Sequence, residues 1–98
     1  MADIQFEWDD SKNVLNKRKH SISFEEASTV FSDDYALLLN DPDHSHEEDR
    51  FILLGLSSSI KILIVCHCYR SKDEIIRIIS ARKANKHEKN QYINRWKK

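Results

Sequence analysis

Ile75, Ile76, Ile78 and Ile79 form a β-branched run whose only interior charge is Arg77, the composition of a strand buried over most of both faces. Strict alternation puts Arg77 on a face with Ile75, Ile79 and Ala81, and Arg82 on the other with Ile76, Ile78 and Ser80. A guanidinium among isoleucines must either meet a carboxylate inside the fold or open into a cleft that an anion can reach, because burying it unpaired costs several kcal/mol. Upstream, segment 60–70 carries Ile60, Ile62, Ile64, Cys66 and Cys68 on its even positions and Lys61, Leu63, Val65, His67 and Tyr69 on its odd ones. The even face is expected to be core, and the odd face to turn polar toward its end. There His67 and Tyr69 either line a cleft beside Arg77 or Arg82, or stand as half-exposed sheet residues.

The remaining pattern predicts a short strand at Phe6 and Trp8, ended by Asp9 and Asp10, which can cap a helix over 11–20. Lys17, Arg18, Lys19 and His20 end that helix, where cations meet the negative pole of its dipole. Ser23 and Glu26 have capping-box spacing, ahead of Phe24, Ala27, Val30 and Phe31 on one face of a second helix over 23–31. Strands follow at 35–39 and 50–56, separated by the exposed acidic loop 40–49, which holds the only proline and two histidines, His44 and His46. From 84 to 96 the period becomes helical, with Tyr92 and Trp96 as a packing stripe and Lys86, Lys89 and Arg95 toward solvent. The expected architecture is α+β in a single domain spanning 1–98: two N-terminal helices, an antiparallel sheet of about four strands, and a C-terminal helix.

Composition narrows the function. With 33% charged and 40% hydrophobic residues, one Gly and one Pro, the chain is neither low-complexity nor disordered in character. No apolar run is long enough to span a bilayer, and the acidic start MADIQFEWDD does not read as a secretory signal, so a cytoplasmic protein with no membrane role is expected. Cys66 and Cys68 stand at i and i+2, about 6.6 Å apart in rise on one strand. That arrangement suits two reduced core residues better than a disulfide or a zinc knuckle. The two loop histidines lack a rigid frame, and no metal site is expected. The formal net charge of zero conceals an asymmetry: residues 1–50 hold 13 acids and 5 bases, residues 70–98 hold 10 bases and 3 acids. A basic final third suits nucleic acid, whereas the acidic half opposes indiscriminate coating of DNA or RNA.

The only glycine is Gly55, so there is no Gly-rich phosphate loop, and neither His-Glu-x-x-His nor a nucleophile elbow is present. Sheet arginines, a histidine, a tyrosine and a basic helix instead suit RNA phosphodiester cleavage. There the 2′-hydroxyl attacks phosphorus, and the protein supplies a base, an acid and cations, with no cofactor.

Several motifs in order also carry a family resemblance: Phe6-Glu7-Trp8-Asp9 with Lys12 and Asn13, Lys19-His20 leading into Ser23-Phe24-Glu25-Glu26-Ala27, Asp41-Pro42-Asp43-His44, Glu48-Asp49-Arg50-Phe51, and Arg77-Ile78-Ile79-Ser80-Ala81-Arg82-Lys83-Ala84. Together they resemble the BrnT toxins of bacterial type II toxin-antitoxin systems. The resemblance implies a RelE-like fold, a metal-independent endoribonuclease that arrests translation, and neutralisation by a BrnA-like antitoxin in a hetero-oligomer. It further implies that the complex contacts promoter DNA only through the antitoxin. The family's motif positions fall on Trp8, Lys19, His20, Arg77, Ser80, Arg82 and Lys83. Among these and their neighbours, Arg77 and Arg82 are the candidates for phosphate charge, Lys19 or His20 for assistance, and His67 or Tyr69 for a proton. Tyr69, Lys83 and Lys86 are candidate RNA contacts. The alternative is a degenerate toxin that only holds a partner protein within an autoregulatory complex.

Overall fold

The computed structural model describes residues 4–40, 50–72 and 74–96. The acidic loop with His44 and His46 therefore lies outside the described residues, as do the side chain of Trp96 and the final two lysines. The chain runs β1 (Gln5–Glu7), α1 (Asp10–His20), α2 (Phe24–Ser28), a 3-10 turn (Thr29–Ser32), β2 (Leu37–Asn40), β3 (Arg50–Leu56), β4 (Ile62–Arg70), β5 (Ile75–Lys83) and α3 (Lys86–Trp96). The expected α+β class and helix positions hold, with the second helix tightening into the 3-10 turn after Ser28.

Among the described residues the sheet has five strands in the order β1-β5-β4-β3-β2, the expected four extended by the short N-terminal strand. It is also mixed, because β1 runs parallel to β5, with Glu7 beside Arg77. Strands β2 to β5 form the expected antiparallel meander. Ile60 falls outside β4 and adopts φ 62 in the turn, its N–H donating to the Ser57 carbonyl at 2.9 Å. The β4–β5 connection likewise turns through positive φ at Ser71 and Lys72.

Caps are set locally. Asp9 accepts from the backbone of Ser11 and Lys12 at the start of α1, and Ser21 ends the helix in the left-handed region with its N–H on the Lys17 carbonyl. Ser23 accepts from Glu26 N at 3.0 Å, as its capping spacing predicts. The Glu26 carboxylate does not return the bond; it accepts from Ser57 Oγ at 2.7 Å and ties α2 to the end of β3.

Helices α1 and α2 cover one face of the sheet. Its core holds Ile22, Phe24, Val30, Leu63, Val65, Ile76, Ile78 and Ala81. Helix α3 covers part of the other face through Tyr92, against Leu54, Ile64 and Ala84. Gly55 permits the close approach of the 3-10 turn: a Cβ there would stand 2.8 Å from Val30 Cγ1 and 2.9 Å from Ala36 Cβ. Asp33 then closes this junction, accepting from Tyr92 Oη at 2.6 Å and Leu56 N at 2.8 Å. Burial pushes its carboxyl up, but these bonds, one from Tyr35 N and the Arg95 charge outweigh it and hold Asp33 below the usual range.

The face assignment of β5 differs from strict alternation. Cys66 pairs with Ser80 but His67 with Ile78, so Ile79 is an extra residue in a β-bulge. The bulge puts Ile76, Ile78 and Ala81 together in the helix-side core and returns Arg77, Ser80 and Arg82 to the opposite face. Helix α1 supports this irregular stretch through buried Asn16, whose amide donates to the Ala81 and Ile22 carbonyls at 2.9 and 2.8 Å and accepts from Ala81 N at 3.1 Å. Beyond Glu7, where β1 has ended, this side chain does for Ala81 what a sixth strand would do.

Candidate active-site cleft

On the face that α3 leaves open, one cross-strand row aligns Arg50, Cys68 and Arg77, with Glu7 beside Arg77 in β1. Neighbouring members are separated by about 4.8 Å, the strand spacing. Arg70, on the next row, reaches Glu7 at 3.3 Å, and Arg77 reaches the same Glu7 oxygen at 2.8 Å. Arg50, Cys68, Arg70 and Arg77, with Lys12 from α1, Tyr69 and Ile79, line a cleft of about 320 Å³. Both sequence expectations for Arg77 are thus realised at once: it meets a carboxylate, and it remains 33% exposed in a cleft. Glu7 can neutralise only one of Arg70 and Arg77, and Lys12 stands beside them, a setting in which a phosphodiester is attracted and charge developing on its oxygens is stabilised.

Arg82 belongs to another setting. It forms a fork with Glu88 at 2.8 and 2.9 Å, and Asn85 N donates to the same carboxylate at 2.8 Å. The Arg82 bond holds Glu88 below the ordinary carboxylate range despite its partial burial, and Glu88 in turn raises Arg82. Four residues of β4 separate the rows of Arg82 and Arg77, roughly 13 Å. Lys83 and Lys86 lie exposed at the Arg82 end, at the join between β5 and α3.

His67 and Tyr69 do share a face, but it is the helix-side face, opposite the arginines. His67 is 0% exposed and packs edge-on to Phe31 at 4.8 Å and to Tyr69 at 5.2 Å between ring centroids. Alternation could not reveal this, because the even face of β4, expected to be core, is the one that opens toward the arginines. Burial holds His67 below its ordinary pKa. Its Nδ1 lies 3.1 Å from the Val65 carbonyl, which can only accept, so Nδ1 carries the proton of the neutral ring. Nε2 therefore accepts from Tyr69 Oη at 3.3 Å, a bond made on the helix side of the sheet.

Lys19 and His20 lie outside the arginine cleft, in a groove of about 530 Å³ between α1 and β5 whose walls include Arg18, Leu15 and Ser80. Lys12 and Ile79 line both concavities. Lys12, Arg50, Arg70 and Glu7 were not singled out as site residues from the sequence. Two cues were present: Glu7 and Lys12 fall within the first family motif, and Arg50 and Arg70 end strands beside turns. Among the described residues no three His, Cys, Asp or Glu side chains gather as metal ligands, and Cys66 and Cys68 form no disulfide.

Residues 8–88 match the family model described as "Ribonuclease toxin, BrnT, of type II toxin-antitoxin system". Among solved structures, the crystal structure of the Brucella abortus ribonuclease toxin BrnT is similar, with TM-score 0.66 and 22% identity over 86% of this chain and 100% of that one, a likeness of fold. No curated protein matches the sequence.

Proposed function

The chain belongs to the BrnT family of ribonuclease toxins of type II toxin-antitoxin systems, and from that premise we propose that RNA is cleaved in the cleft at Arg77. The observation that carries the assignment is the convergence of Lys12, Arg50, Arg70 and Arg77 on one concavity. Arg77 and Arg50 flank the phosphate and stabilise charge on its non-bridging oxygens as the adjacent 2′-hydroxyl attacks phosphorus. Glu7 is a positioning residue that holds Arg77 and Arg70 toward the phosphate. In this reading His67 and Tyr69 keep their hydroxyl–imidazole bond on the helix side of the sheet, away from the phosphate; the 2′-hydroxyl proton passes to solvent and the Lys12 ammonium protonates the departing 5′-oxygen. The products are a 2′,3′-cyclic phosphate and a free 5′-hydroxyl, with no cofactor consumed.

A type II toxin has an antitoxin partner. We assign that role to a BrnA-like protein, through which alone the complex touches DNA, and the setting to the cytoplasm, with residues 1–98 acting as one domain. Arg82, Lys83 and Lys86 serve the fold and solvent-facing surface near α3 in this reading. None of the described helices is long and apolar enough to cross a membrane.

The test is incubation of the purified chain with RNA in the presence of a chelator, alongside induced expression without antitoxin. Native protein should cleave and arrest growth, and folded Arg50→Ala and Arg77→Ala variants should do neither. Intact RNA with the native chain, or full toxicity in both variants, would refute the assignment.

A further inference from the structure

The groove along α1 is formed by what the sheet lacks. Because β1 is three residues long and pairs only as far as Arg77, the outer edge of β5 beyond it has no neighbouring strand among the described residues. Asn16 satisfies Ala81, and the bulge at Ile79 leaves Ile79 and exposed Ser80 at the floor of the depression beside α1. The described lining contains Lys12, Arg18, Lys19 and His20 but no carboxylate. Leu15, at 60% exposure, stands among these cations. Dipole compensation explains basic residues in the last turn of a helix; it does not explain a leucine held open among them.

Resting on the assignment of RNA cleavage to the Arg77 cleft, we infer that this groove is a second binding site, a track for the single-stranded RNA that flanks the scissile phosphate. Three observations favour that occupant. The track joins the cleft through Lys12 and Ile79, so a strand leaving the phosphate enters it without crossing uncharged surface. Its cations suit a polyanion. Its apolar members, Leu15 and Ile79, suit the faces of unstacked bases, which a duplex keeps hidden. From Lys12 to Lys19 the helix rises about 10 Å, long enough to run beside more than one nucleotide of the strand. Binding energy for the strand thus comes from outside the reacting centre, and short substrates forgo it.

The probe is a 2′-O-methyl RNA hexanucleotide, which lacks the attacking hydroxyl and stays intact while bound. Its affinity is measured across a salt series for the native chain, for Arg18→Gln/Lys19→Gln, and for Lys17→Gln/Lys89→Gln, which removes two exposed charges outside the groove. Each lost phosphate contact on a single strand removes about 0.7 from the slope of log affinity against log salt. The groove variant should therefore lose about 1.4 from that slope and bind about tenfold more weakly at low salt. The control pair should keep the native slope. The native preference for a hexanucleotide over a dinucleotide should also disappear in the groove variant. Equal slopes in all three proteins, or equal losses in both variants, overturn the track while leaving the cleft assignment standing. A groove variant that binds RNA normally and fails to form the antitoxin complex overturns it in favour of a protein-binding surface. A native chain that neither binds nor cleaves RNA removes the cleft reading itself.

Discussion

Arg77 and Arg82 leave the same face of β5, and each meets a glutamate, yet their surroundings differ in charge count. At one end Glu7 is shared between Arg77 and Arg70, and Lys12 lines the same cleft. At the other end Arg82 has Glu88 to itself, in a two-bond fork that Asn85 N reinforces. An excess of cations leaves attraction for an incoming anion; a one-to-one pair consumes it. The same residue type on one strand is thereby a candidate for chemistry at one end and a structural clasp between strand and helix at the other.

Five substitutions sharpen or break this contrast. The largest effect belongs to Arg77→Ala, which should lower RNA cleavage about 100-fold or more, the effect of removing one group that stabilises transition-state charge. Arg82→Ala, normalised to folded protein, should stay within about tenfold of native in the same assay. Equal losses would erase the distinction between the two ends.

Next is Asn16→Leu, aimed at the irregular stretch between the ends. It strands the Ala81 N–H and C=O in the interior and should destabilise by about 3 kcal/mol, a fall in Tm on the order of 15 °C. A Tm within a few degrees of native would mean that Ala81 finds other partners and that Asn16 does not hold the bulge.

The clasp itself is worth less. Breaking a partly exposed pair with Arg82→Ala or Glu88→Gln should lower stability by about 1 kcal/mol, read by denaturant unfolding at neutral pH. Because Glu88 is depressed below its ordinary value of 4.5, its stabilisation is present above that pH and disappears as pH falls through the lower folded value. Glu88→Gln should accordingly flatten the acid limb of stability against pH, whereas a variant that keeps the native acid limb would place that loss elsewhere.

The smallest effect belongs to Glu7→Gln. Removing the one carboxylate described beside the cleft should raise affinity for the 2′-O-methyl RNA about threefold at low salt, with the gain fading as salt screens the cleft. A drop in affinity would show that orienting Arg77 matters more than neutralising it.

Much of this arrangement was legible along the chain. The isoleucine run marked β5, the Ser23–Glu26 spacing marked the start of α2, and the acidic pair after Trp8 marked the cap of α1. These are local matters, decided by period and by side chains bonding to backbone within a few residues. The ordered motifs also pointed to the family, and Arg77 was singled out for needing either a carboxylate or an anion. Turns obscured finer points. The positive φ at Ile60 was hidden by its β-branched side chain, which belongs by composition to the strand that begins at Ile62.

What only the tertiary structure decided follows from contacts between distant segments. One bulged residue, Ile79, reverses the alternation, so Arg77 and Arg82 share a face although they stand five positions apart and alternation separates them. A three-residue strand from the N-terminus brings Glu7 to Arg77, seventy positions away, and ends early enough to leave the α1 groove open. His67 and Tyr69 were paired correctly by alternation, but which face of β4 the helices would cover depends on where α1, α2 and α3 dock. The sequence alone determined the elements and the charges they carry. The register between strands determined which of those charges meet, because pairing geometry is set by the whole sheet and the helices packed on it.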